Sequence, residues 1–62
     1  MYFIIKHSFS GSYFTGYRRL ITLFGDLDSA YHYDTKVRAL HEIKIIESIH
    51  PDLKYQLGVV QV

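Results

Sequence analysis

Four histidines, at positions 7, 32, 41 and 50, are the first side chains in this sequence that could do chemistry. Imidazole is the commonest metal ligand and a ready general base near neutral pH. A helical zinc site, however, sets two of them three or four residues apart, and closed structural sites usually add thiolates. No pair here has that spacing, and the chain has no cysteine. Neither a metal site nor a cofactor is expected. His41 and His50 read as decoration of a helix and its C-terminal end, where a histidine suits the negative pole of the dipole. Ser29, His32 and Asp34 suggest a hydrolase, but residues 31–33 read as extended, which sends neighbouring side chains to opposite faces, and no glycine-framed nucleophile turn surrounds Ser29. Gly11 and Gly16 lack the lysine and hydroxyl that should follow in a phosphate loop. No catalytic residue is expected, and the chain reads as non-enzymatic.

Arg18 and Arg19 beside Tyr13 and Tyr17 are the strongest polar lead. Aromatic rings stack on bases while arginine pairs phosphates, so a nucleic acid or a signalling nucleotide is one possible partner. The charge argues against it: seven Lys and Arg are nearly cancelled by six acidic residues, and a net +1 is too little for non-specific attraction to a polyanion. A purely structural reading lays the tyrosines along a sheet under lysine and arginine stems. Tyrosine and arginine are also the residues enriched at protein interfaces, where they combine large contact area with directional bonds. On that reading the candidate partner-binding residues are Tyr2, Ile4, Lys6, Tyr13, Tyr17, Arg18 and Arg19.

The elements that must position these residues follow from length and pattern. A 62-residue chain is a single domain, 1–62, whose folding hides only about 60 % of the unfolded surface, so stability is thin. Hydrophobic residues at 48 % and six tyrosines exclude a disordered chain. No apolar run approaches the length of a membrane span, the start is too short for a signal peptide, and the missing cysteines favour an intracellular, cytoplasmic protein. Residues 2–9 read as a strand, Ser10 and Gly11 as a turn, and residues 12–16 as the return of a β-hairpin. With a two- or four-residue loop, Ser8 faces Tyr13 and Lys6 faces Thr15. One face then carries Phe3, Ile5, His7, Phe9 and Phe14, the other Tyr2, Ile4, Lys6, Tyr13, Thr15, Tyr17 and Arg19.

Residues 17–24 fit neither alternation nor a helical stripe and read as a further strand or an irregular return. Gly25 breaks them, and Asp26 or Asp28 opens a short turn over 27–30. Thr35 caps a helix over 36–49, which Pro51 ends. Ala39, Leu40, Ile43 and Ile46 form its core face, with Val37 at the margin. Ile45 and Ile49 form a second apolar ridge between Arg38 and Glu42, and Ile45, Ile49 and Arg38 are the expected oligomer interface of a homodimer. Residues 53–62 read as the last strand, with a bulge at Gly58. The fold class is α+β: a two-layer sandwich with a small antiparallel sheet of three or four strands, hairpin first, on one helix, in the order β-β-(β or turn)-β-α-β. One helix covers one sheet face, so apolar area is left for a partner.

Tyr2-Phe-Ile-Ile-Lys6, then Tyr13-Phe-Thr-Gly16, then Leu27-x-x-Ala30-x-x-Tyr33-x-Thr35-x-x-x-Ala39 and a closing strand together resemble a diffuse group of short phage-encoded accessory proteins. The resemblance covers most of the chain and departs from the group over residues 17–25, where a tryptophan is usual. It implies a viral protein of the host bacterial cytoplasm, from a pool that includes inhibitors of host enzymes and anti-defence proteins such as anti-CRISPRs. The expected function is to inhibit a host or bacterial immune protein by occluding its binding surface.

Overall fold

A computed structural model describes residues 1–19 and 21–62. The strands are β1 (Phe3–His7), β2 (Tyr13–Arg18), β3 (Ile21–Gly25) and β4 (Leu57–Gln61), and the helix α1 spans Lys36–Ile49. Short 3-10 turns occupy Leu27–Ser29 and Pro51–Leu53. The strands form one antiparallel sheet in the order β3-β2-β1-β4, and the helix packs on it, the α+β sandwich that the pattern predicts.

Local chemistry sets the ends of α1. The Thr35 hydroxyl accepts a hydrogen bond from the Arg38 N–H at 3.2 Å, satisfying one of the free amides of the first turn. Pro51 excludes helical geometry at His50, whose φ and ψ are −126° and 80°. Asp26 likewise accepts from the Ser29 N–H and caps the first 3-10 turn. Ala39, Ile43 and Ile46 bury into a core with Ile5, Phe14 and Tyr33, flanked by Phe3, Phe24, Leu53, Leu57 and Val59. Leu40, expected in that core, is 44 % exposed, and Val37 is exposed as well. The helix rides on β1 and β4, and Leu40 lies about 100° round the axis from Ala39, so it projects past the sheet instead of into it.

The hairpin register differs from expectation by two residues, with Lys6 opposite Tyr13. A slip of two preserves the faces, and the loop over 8–11 closes through Ser12 O accepting from His7 N–H and His7 O from Gly11 N–H. Gly11 takes φ 71°, which a side chain would resist. The indistinct stretch 17–24 resolves into the end of β2, a turn at Arg19 with φ 59°, and β3; Leu20, counted in that stretch, lies outside the described residues. Residues 31–33 are extended but make no strand of their own. Tyr31 N–H donates to Phe14 O at 2.9 Å, and Tyr33 exchanges both backbone hydrogen bonds with Phe3 at 2.8 Å. The segment thus sits between β1 and β2 beyond their pairing near the turn.

The last strand starts at Leu57, later than expected, because residues 51–53 coil into the 3-10 turn and Tyr55 reverses the chain at φ 67°. Gly58 marks no bulge. Pairing of β4 with β1 is unbroken from Phe3 opposite Gln61 to His7 opposite Leu57, which turns Val59 into the core and Val60 to the other face.

Candidate functional site

Gly16 decides which way the most useful tyrosine points. The register of β2 against β3 shifts between Phe14 and Gly16, and Gly16 holds φ 143°. This bulge adds one residue to the alternation, so Phe14 and Tyr17 share a side, their ring centroids 5.1 Å apart. Tyr17 therefore does not join Tyr13 on the helix-free face, as strict alternation predicts; it faces α1. An added Cβ at Gly16 would meet no atom within 4 Å, so a substitution there acts through backbone strain alone. We expect Gly16→Ala to lower the unfolding free energy by about 1–3 kcal/mol, read from the urea midpoint.

On the helix side, Glu42 collects two phenols. Tyr17 donates its hydroxyl to Glu42 Oε2 at 2.9 Å, and Tyr33 donates to Oε1 at 3.1 Å. Burial is the main force raising both phenol pKa values above the ordinary tyrosine range, and the adjacent carboxylate raises them further. The shift moves both protons away from neutrality, so the cluster anchors side chains and does not suit proton transfer near pH 7.

Around this anchor the chain exposes apolar area. Arg38, Glu42, Ile45 and Ile49 follow one flank of α1, and the Glu42 bond to Tyr17 fixes that flank on the β2 side. Tyr31, whose ring centroid is 4.9 Å from that of Tyr33 and 6.3 Å from that of Phe14, borders the same region. Tyr17, Tyr31, Ile45 and Ile49 are between 38 % and 52 % exposed, and Arg38 stands at the margin, 3.5 Å from Asp34. The oligomer residues Ile45, Ile49 and Arg38 and the partner residue Tyr17 thus belong to one patch. Glu42 and Tyr31 are its unforeseen members. Their only sequence signal is the apolar-flanked carboxylate on the Ile45 ridge and the tyrosine two before Tyr33.

The helix-free face keeps the other candidates but not as one surface. Ile4 is 1 % exposed and cannot reach a partner. In the middle of β1, it is closed over by its neighbours while staying outside the core cluster. Tyr2 is half-buried and stacks on His32 at 3.7 Å, and Tyr13 is half-buried, whereas Lys6, Arg18 and Arg19 are exposed. His32 and Asp34 are thereby engaged apart from Ser29, with Asp34 beside Arg38.

A second polar cluster ties the hairpin turn to the approach to β4. Gln56 Nε2 donates to Asp52 O at 2.7 Å, which leaves Oε1 to accept from His7 Nε2–H at 2.8 Å. The opposite nitrogen, Nδ1, then accepts the Ser10 hydroxyl at 2.7 Å. Serine, histidine and amide form a clasp across chain segments far apart in sequence.

Among the described residues no group of three His, Cys, Asp or Glu side chains is placed to hold a metal ion, and no helix is long and apolar enough to cross a membrane. The molecule is a small α+β sandwich with a tyrosine-carboxylate patch beside its helix. No family model, curated protein or solved structure matches the chain.

Proposed function

We propose that this protein is a non-enzymatic interaction module that inhibits a host or bacterial immune protein by covering one of its binding surfaces, in the bacterial cytoplasm. The observation that carries the reading is the patch of Tyr17, Tyr31, Ile45 and Ile49 around Glu42. Its side chains are half-exposed, and Tyr17 is fixed by its bond to Glu42, while Tyr31 packs on Tyr33, which the same carboxylate holds. Pre-ordered aromatic and aliphatic groups lose little entropy on binding, which is the property of interface hot spots. The resemblance to short phage-encoded proteins supports the class of partner.

The test is capture of a bacterial partner by immobilised protein, repeated with Tyr17→Ala and Ile49→Asp. Each change should weaken binding of the captured partner at least tenfold while circular dichroism stays native. Equal retention by all three proteins would remove the patch from the proposal.

One observation favours the second reading, a nucleic acid or nucleotide ligand. The four strands contain no acidic residue, and Lys6 and Arg18 are exposed on them. Salt separates the two. Binding through Lys6 and Arg18 to phosphates should fall steeply between low and moderate ionic strength, whereas binding through the apolar patch should change little.

A further inference from the structure

The geometry points to a homodimer built by antiparallel pairing of β4 with β4 of a second copy, which joins two sheets into one and brings the two helices side by side. This inference is independent of the proposed function and uses the opposite side of the subunit.

The first observation is the state of the β4 edge. Tyr2 and Val62 exchange both backbone hydrogen bonds, and Ser8 N–H donates to Gln56 O, so the even-numbered residues of this segment bond to the β1 side. In an antiparallel ladder the alternate residues must then point the other way. Leu57, Val59 and Gln61 direct their N–H and C=O groups outward from the sheet edge. Natural edge strands are protected by charges, proline, bulges or brevity. β4 has no charge and no proline, and its register is unbroken over all five residues. The other edge, β3, is paired to a bulged strand, which adds twist, and two arginines stand at its turn. The β3 strand itself is as free of charge and proline as β4, so it is the regular, unbulged pairing that marks the β4 edge as the better template.

The second observation lies on the helix. Glu47 accepts the Tyr55 N–H at 3.2 Å, which fixes its flank of α1 on the β4 side. Leu40 and Lys44 follow the same flank at helical spacing, and with Val37 and His41 they line a shallow groove. This is where Leu40 stands half-exposed, against its expected burial.

Spacing joins the two observations. The helix packs on β1 and β4, so its axis lies near their seam, roughly half a strand spacing inside β4. A two-fold axis through a β4–β4 pair lies half a spacing outside it. The two helix axes would then be two strand spacings apart, about 10 Å, which is the separation of directly packed helices. Pairing Val59 with Val59 of the second copy matches every outward donor with an outward acceptor, Leu57 opposite Gln61. The interface is self-complementary, as a two-fold dimer requires.

Light scattering over a concentration series is the first measurement, with twice the chain mass expected at high concentration. Gln61→Pro removes an outward N–H in each copy without touching a bond to β1, because proline is tolerated on an edge strand facing away from its neighbour. It should weaken the dimer on the order of tenfold. Leu40→Glu should do the same or more, whereas Ile45→Asp, on the far flank, should leave the dimer unchanged. Amide hydrogen exchange supplies a readout that does not depend on variants. Leu57, Val59 and Gln61 should be protected in concentrated solution and exchange freely on dilution, while Gly58 and Val60 stay protected throughout. A monomer at millimolar concentration would overturn the proposal. So would a dimer that Gln61→Pro and Leu40→Glu leave intact or that Ile45→Asp dissociates.

Discussion

Phe14→Ala should abolish cooperative folding or lower the melting temperature by on the order of 20 °C. Phe14 is the bulkiest of the fully buried side chains, and its ring meets those of Tyr17, Phe24 and Tyr31, which come from three different segments. Truncating a buried phenylalanine costs about 3–5 kcal/mol through lost transfer energy and the cavity left behind. A 62-residue domain is stable by only roughly 3–9 kcal/mol. The loss is therefore most of what the protein has, and at about 4–8 °C per kcal/mol it gives the stated shift. Thermal unfolding followed by circular dichroism measures it. Lys36→Ala, at an exposed position outside both proposed interfaces, is the control and should stay within about 0.5 kcal/mol of the parent. A Phe14→Ala protein that melts like the parent would mean the sheet is not held together through this ring.

Alkaline conditions should unfold the protein through Tyr33 and Tyr17. Both phenol pKa values are raised in the folded state, first by burial and then by Glu42. The folded chain thus keeps protons that the unfolded chain releases near pH 10. The stability linked to them is whole below about pH 10 and is lost as pH rises further. Tyr33, the more buried, contributes a limiting slope of about 1.4 kcal/mol per pH unit, and the partly exposed Tyr17 a smaller one. Phenolate absorbance should show two of the six tyrosines ionising only with the loss of structure. Glu42→Gln should soften the alkaline transition, because a phenolate would no longer face a carboxylate. Ionisation of every tyrosine with the fold intact would contradict the network.

Much of this fold is legible in the residues, for reasons that are local. Thr35, the glycine-free run after it and Pro51 define α1 to the residue, since capping and proline geometry act within one turn. Ser10 and Gly11 mark the hairpin, and Asp26 its short turn, for the same reason. What the sequence hides is set at a distance. Nothing near Tyr17 states that Gly16 will be a bulge, because a glycine in a strand is equally consistent with none, and strict alternation therefore puts the tyrosine on the opposite side. Leu40 and Ile43 have the same apolar character, and only the placement of α1 on β1 and β4 leaves one out and takes the other in. Residues 53–57 alternate like a strand, yet the 3-10 turn after Pro51 and the reversal at Tyr55 take them out of the sheet. The patch itself is half visible in the sequence. Ile45, Ile49, Arg38 and Tyr17 each stand out by residue type and spacing, but their convergence depends on a carboxylate reaching across from helix to sheet.

The position of β1 has a consequence for how fast the chain assembles. Its partner on one side arrives a few residues later, but its partner on the other side comes from the opposite end, with Phe3 against Gln61. Half of the central ladder therefore waits on closing almost the whole chain into a ring, an entropic hurdle that local contacts do nothing to lower. Refolding should be slower than in a helical bundle of this size, and a covalent tether between residues 1 and 62 should speed it while leaving the native contacts alone.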